Sequence, residues 1–153
     1  MCWSEAPVFG TRDPDVEYVD RPAAYVIATN EAGQIAAVRG RAGCWLPGGG
    51  IETGETAEEC IKREVREEIG ATLHITALIG KAVQYFHAPS DGNHYRMRAT
   101  FFRGEFLDEP SSVEHELCWI DASGDGALFF HASHDWAARS PGSSSDEGPD
   151  GSG

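Results

Sequence analysis

Residues 48–71 read GGGIETGETAEECIKREVREEIGA, and this stretch decides the fold. From Thr56 to Ile69 there is no proline or glycine, and Gly70 supplies a stop, so the segment is predicted to be helical. At about 100° per residue, Ile61, Val65 and Ile69 form one stripe and Glu64, Glu67 and Glu68 form a second stripe beside it. Like charges three and four residues apart each cost a helix a few tenths of a kcal/mol, roughly. An acidic stripe kept against that repulsion suits hard oxygen ligands for Mg²⁺, which is usually held by a few carboxylates together with substrate phosphates. Directly before the helix stand Gly48, Gly49 and Gly50, whose backbone can approach a ligand closely. A helix N-terminus also favours phosphate oxygens. Glycines and acids together make one candidate site for a cation and a polyphosphate.

Working outward, Ala23 to Thr29 is an apolar, β-branched run. Asn30 to Gly33 is a turn signal and Ile35 to Val38 a second run, so the pair is expected to form a strand hairpin. Residues 39–43 are expected to be loop, and Trp45-Leu46-Pro47 leads into the glycines. Beyond the helix, Thr72 to Ile79 and Ala82 to Phe86 look extended, with a loop at Ser90 to Asn93. Tyr95, Met97, Ala99 and Phe101 alternate with Arg96, Arg98 and Thr100, the period of a half-exposed strand. Another strand is expected at Leu117 to Ile120. From Ala127 to Arg139, Leu128, Ala132 and Trp136 fall at helical spacing as an apolar stripe. The resulting class is α/β, a mixed β-sheet with helices packed against it.

Bulk properties agree with one folded domain of ordinary globular composition: 153 residues, 41% hydrophobic and 24% charged. The net charge of −13 excludes a nucleic-acid polymer as the expected partner, because such binders need basic stripes. It does not exclude a small phosphorylated ligand, since bound divalent cations invert the sign of an acidic site. Cys2, Cys44, Cys60 and Cys118 contain no short-spaced pair and read as reduced thiols. Neither a leader nor a span is visible, so no membrane partner and a cytoplasmic location are expected. Residues 140–153 are acidic and rich in glycine and serine, without large apolar side chains, and read as a disordered tail after a domain at 1–139.

Gly49, Glu55, Arg63-Glu64-Val65, Glu67-Glu68, Gly70 and Ala71 stand at the spacing of the Nudix box, and the chain resembles that hydrolase family. Seven fixed identities at set offsets arise by chance in about one chain per million of this length, so the motif is specific. Its one departure is Ala71, a small choice for the closing apolar position. Trp45-Leu46-Pro47 and Trp119-Ile120 also look like the family, and Gly10, Arg21-Pro22 and the segment His131 to Trp136 resemble a bacterial subgroup. The resemblance implies an α/β/α sandwich with a catalytic loop and helix. It also implies Mg²⁺-dependent hydrolysis, with Mn²⁺ as a substitute, of a diphosphate linkage in a nucleoside diphosphate derivative. Glu64, Glu67 and Glu68 would be the metal ligands, helped by the Gly48 carbonyl. Glu55 and Arg63 would brace the loop as an ion pair, and the general base would be Glu64, Glu114 or Glu116. Homodimers are common among relatives.

Outside the box, the resemblance implies that Arg39, after the second strand, faces substrate phosphates, as Gly48, Gly49 and Gly50 would. Tyr85, with Phe86 and Tyr95, would either stack on a base or pack in the core. Cys60 and Cys118 read as packed thiols, His131 and His134 as structural or surface residues, and Arg96 and Arg98 as the wet face of a strand. Two other functions fit the same fold. One is a catalytically silent nucleotide sensor, although such modules often lack a box acid and all are present here. The other is a diphosphate-substrate isomerase, which needs metal-binding His and Cys positions that this sequence does not match. Nucleoside triphosphates, nucleotide sugars and dinucleotides stay open as substrates, because base and sugar are gripped outside the box.

Overall fold

The computed structural model describes residues 3–123 and 126–140. The acidic segment expected to be a tail lies, from residue 141 onward, outside the described residues. Helix α1 spans Ala57–Ile69. Thr56 Oγ1 accepts the Glu59 N–H at 3.1 Å while the Glu59 carboxylate accepts the Thr56 N–H at 2.9 Å, a reciprocal capping box. Gly70 ends the helix at φ 65°, its N–H bonded to the Arg66 carbonyl. Both ends are therefore set by residues within one turn of them.

The described residues form eight strands besides this helix: β1 (Val8–Phe9), β2 (Val19–Ala28), β3 (Ile35–Gly40), β4 (Gly43–Trp45), β5 (Gly48–Gly50), β6 (Leu73–His87), β7 (His94–Phe106) and β8 (Glu116–Ile120). A second helix, α2, covers Ala132–Ala138. The main sheet runs β1-β6-β7-β2-β5 and is mixed, with β1–β6 and β2–β7 parallel and the other pairs antiparallel. Its strands alternate faces with period two. Ala23, Tyr25, Ile27, Met97, Ala99 and Phe101 share one core with Ala137 and Trp136 of α2. Ala24, Val26 and Phe102 face the other way, against Cys60, Ile61, Val65 and Ile69 of α1. Helices thus cover both faces, and the class is α/β as the sequence implied.

Several local expectations are corrected by long-range pairing. β2 and β3 do not form a hairpin ladder. They touch at a single bridge, Thr29 to Ile35, and β3 leaves for a separate antiparallel sheet ordered β4-β3-β8. The two stretches after α1 are one strand, β6, with register irregularities near Ala77 and Gly80. The three glycines are not loop but an edge strand, Tyr25 pairing with Gly48 and Ala23 with Gly50. Gly48 adopts φ 141°, and a Cβ there would overlap the Ala24 carbonyl, so only glycine fits this pairing.

The last helix is shorter than its periodicity suggested. The Asp135 carboxylate accepts the N–H groups of Leu128 (3.0 Å) and Phe129 (2.9 Å), which ties residues 128–129 into a non-helical turn. Ala132 is exposed, and the buried face is Ser133, His134 and Ala137. Leu128 and Trp136 still pack on the core. His131 and His134 are both buried, which bears out the structural reading of the pair and not the surface one. His134 Nδ1 accepts the Leu46 N–H at 3.1 Å, and burial holds its pKa well below the usual imidazole range.

Candidate functional site

The site is assembled where α1 packs on β5. The Gly48 N–H donates to Glu68 Oε1 at 3.1 Å, and the Glu64 carboxylate lies so close to Gly49 that a Cβ there would stand 2.6 Å from Glu64 Oε2. Cys60, buried on the same helix, donates its thiol to the Gly49 and Gly50 carbonyls at 3.4 and 3.5 Å, and burial pushes its pKa up to about 12. It is a packing thiol, as read from the sequence. Cys44 and Cys118, distant in sequence, are brought to within 4.0 Å of each other across β3.

Arg63 holds the loop before the helix. Its Nε and Nη2 meet the two Glu55 oxygens at 2.7 and 3.0 Å, and Nη2 also donates to the Gly50 carbonyl at 3.3 Å. The Arg63 guanidinium, then the Glu52 N–H, pull the Glu55 pKa down to about 2. The expected Glu55–Arg63 brace is present, but Arg63 does more than the sequence suggested. Its Nη1 also reaches Glu64 Oε2 at 3.3 Å and Glu67 Oε1 at 3.2 Å, so one cation gathers three box acids.

Glu68 is 6% exposed, and burial pushes its pKa up to about 8. The Gly48 N–H opposes that shift, and the charges of Glu64, Glu114 and Glu67 reinforce it. Glu64 is raised too, by burial first. The crowding includes Glu114 because the Glu68 carbonyl accepts the N–H groups of Val113, Glu114 and His115, suspending that loop from the last turn of α1. His115 Nε2 lies 3.7 Å from Glu114 and 3.9 Å from Glu68.

The donor set fits a hard divalent cation: every side chain is a carboxylate, and the like charges that repel here are those a cation would reconcile. As arranged, no three such side chains among the described residues converge as a ligand group, because Arg63 takes up the facing oxygens of Glu64 and Glu67. Glu68 faces a cavity of about 650 Å³ that Gly48 and Gly49 also line. Arg21, Arg39 and Arg41 contribute to its wall, with Trp45, Phe86, Tyr95, Phe130 and His131 as an aromatic side. Trp45 and Phe130 are 5.0 Å apart and Phe86 and His131 4.5 Å, so the rings form a continuous surface. Burial holds the His131 pKa down to about 4, leaving a neutral imidazole at the cavity.

Not every expected site residue arrives there. Tyr85 lies on the opposite face of β6 from Phe86 and packs edge-on against Tyr18 at 5.0 Å, because adjacent strand residues point apart. Glu116 is exposed at the start of β8 and pairs with Arg39 at 3.6 Å, away from the Glu64–Glu68 cluster. Neither Glu64 nor Glu67 lines the cavity. Arg96 and Arg98 are engaged with Asp20 outside the cavity, consistent with a wet strand face. Trp45, His115, Phe130 and Arg21 were missed as site residues. They come from four separate segments, and no local pattern signals their convergence.

A family model described as NUDIX domain matches residues 19–123. A nucleoside triphosphatase NudI from Enterobacter sp. is 60% identical over 37 residues, 24% of this chain and 26% of that protein. An RNA pyrophosphohydrolase from Marinomonas sp. is 41% identical over 63 residues, 40% of this chain and 39% of that protein. The chain thus spans well under half the length of the curated relatives it matches. The crystal structure of MutT protein from Methanosarcina mazei Go1 superposes with a TM-score of 0.64 at 23% identity, over 81% of this chain and 94% of that one, a likeness of fold. No helix among the described residues is long and apolar enough to cross a membrane.

Proposed function

Since the chain belongs to the Nudix family, we propose that it hydrolyses a diphosphate linkage in a small nucleoside diphosphate derivative, using Mg²⁺ or, in substitution, Mn²⁺. The observation that carries this reading is the docking of Glu64 and Glu68 onto Gly49 and Gly48, beside a cavity that Gly48, Gly49 and Glu68 line together with arginines and aromatic rings. Mg²⁺ held by Glu64, Glu67 and Glu68 would supply charge neutralisation of the phosphate chain and activation of the attacking water. The other parts belong to the chain. The aromatic wall offers faces to a base, and Arg39 and Arg41 offer donors to phosphoryl oxygens. Water adds to phosphorus, the bond from that phosphorus to the bridging oxygen breaks, and a carboxylate takes the water proton.

Glu114 suits that last task better than Glu116. It stands with Glu64 and Glu68, whereas Glu116 is turned toward Arg39. Glu114→Gln is expected to lower kcat by about 10²-fold or more, and Glu116→Gln by no more than about threefold, as for an exposed ion pair. Steady-state kinetics on the best substrate checks both, and the reverse order would reassign the base to Glu116.

The names of the relatives favour substrates carrying phosphate chains, one being a nucleoside triphosphatase and another an RNA pyrophosphohydrolase. For this chain, the net charge of −13 favours a small nucleotide over an RNA polymer. The decisive experiment is a panel of nucleoside triphosphates (including an oxidised base), nucleotide sugars and dinucleoside polyphosphates, with Mg²⁺ and with Mn²⁺. Metal-dependent release of a monophosphate product supports hydrolysis. Binding without turnover across the panel would replace it with the sensor reading.

A further inference from the structure

The three arginines of the cavity wall are not equivalent. Arg39 is paired with Glu116 at 3.6 Å, and Arg41 is exposed. Arg21, near the start of β2, is half-buried; among the described residues its charge is felt by the Asp91 carboxylate, but no direct ion pair and no side-chain hydrogen bond engages it. It is held by contacts on the guanidinium instead. The guanidinium carbon lies 5.6 Å from the Tyr95 ring centre, and Nη2 lies 3.4 Å from where a Cβ on Gly50 would stand. Tyr95 is itself fixed, its hydroxyl donating to Asp91 at 2.5 Å and its ring stacked on Phe86 at 5.4 Å and 26°. A positioned guanidinium is thus left with all five N–H donors uncommitted.

A half-buried guanidinium with uncommitted donors, facing a cavity in a chain with 25 acids against 12 lysines and arginines, is suited to an anion from outside the chain. Its planar fork matches the oxygens of a phosphoryl group. Gly50, beside which it lies, continues the strand whose Gly48 and Gly49 carry Glu68 and Glu64. At about 3.4 Å per strand residue, Gly50 stands roughly 7 Å along β5 from Gly48, where Glu68 docks, and Arg21 and Glu68 line the same cavity. A phosphate chain engaged at Glu68 can extend that far within the cavity.

We propose that Arg21 receives a phosphoryl group beyond the linkage that is cut, so that the substrate class is a chain of three phosphoryl groups, such as a nucleoside 5′-triphosphate, and not a diphosphate joined to a neutral sugar. The inference rests on the hydrolase reading above. It separates substrates that the sequence left together.

Two arms test it. In turnover, Arg21→Gln should lower kcat/KM for ATP and GTP by about thirtyfold or more, chiefly through KM, and for ADP-ribose and GDP-mannose by less than about threefold. Arg21→Lys should recover part of the loss, keeping charge without the fork. Equal losses on both substrate types overturn the assignment. In binding, calorimetry with Mg²⁺ uses the non-hydrolysable imidodiphosphate and diimidotriphosphate, which carry no base. The wild-type protein should prefer the three-phosphoryl chain by about tenfold or more, and Arg21→Gln should erase that preference. An unchanged preference overturns the proposal. The binding arm stands even if the wild-type protein turns over none of the four nucleotides, a result that would count against the hydrolase reading and not against Arg21. Should the glutamine variant fail to fold, the lysine variant carries both arms.

Discussion

Glu68→Gln is expected to reduce kcat by about 10³-fold or more while raising the stability of the metal-free protein at alkaline pH. The two effects have one origin. The carboxylate is buried against Gly48 and surrounded by Glu64, Glu67 and Glu114, so its charge is costly unless a cation is present. Losing a hard ligand at such a position removes several kcal/mol, roughly, of stabilisation of the reacting phosphates, and each 1.4 kcal/mol or so is tenfold in rate. Without metal the sign is opposite. The folded-state pKa, up to about 8, stands above the ordinary value of 4.5. The folded form therefore binds the extra proton between these values, and stability present below about pH 4.5 is lost as pH rises through 8. Glutamine cannot ionise and keeps an oxygen to accept the Gly48 N–H. In chelator at pH 9 the variant should exceed the wild-type protein by at most about 5 kcal/mol, the equivalent of the full shift. The difference should vanish near pH 4. Denaturant titrations at the two pH values measure this, and Mg²⁺ should narrow the gap at pH 9 by stabilising the wild-type protein alone. A variant with wild-type kcat would remove Glu68 from the metal site, and one less stable at pH 9 would remove the electrostatic account.

Gly49→Ala is expected to be nearly as damaging to activity, through position instead of charge. The new Cβ would stand 2.6 Å from Glu64 Oε2 and 2.9 Å from its carboxyl carbon, so the carboxylate must move. Gly49 has no left-handed backbone requirement, and Glu64 is partly accessible, so the fold can accommodate the shift. A displacement of about an ångström in a reacting group costs on the order of 10² in rate. The expected outcome is a loss of about that size in kcat/KM with only a small fall in melting temperature. Gly48→Ala should behave differently. Its Cβ meets the Ala24 backbone at a φ that favours glycine, so the melting temperature itself should drop steeply. If both alanine variants lose activity only in proportion to their unfolding, the glycines are structural and the Glu64 contact is incidental.

The same contrast, between what is local and what is not, separates the legible parts of this protein from the rest. The sequence determined α1 to within a residue, its stop at Gly70 and the neighbouring stripes of Ile61, Val65 and Ile69 and of the three glutamates. These depend on contacts no more than four residues apart, and helical spacing makes such contacts readable from the chain alone. It likewise determined the Glu55–Arg63 brace, which the box motif implied, and the alternation that buries Met97, Ala99 and Phe101.

Only the tertiary structure decided which strands meet. That choice rests on burial and hydrogen bonding between segments far apart in sequence, and period-two alternation does not name a partner. Hence β3 left β2 for β8, the glycines became an edge strand on β2, and of the three rings offered for a base Phe86 and Tyr95 face the cavity and Tyr85 does not. Glu114 came to share the surroundings of Glu64 and Glu68 because its loop hangs on the Glu68 carbonyl. Arg21 acquired its meaning from Tyr95 and Gly50, residues that β7 and β5 deliver to it from opposite sides of β2.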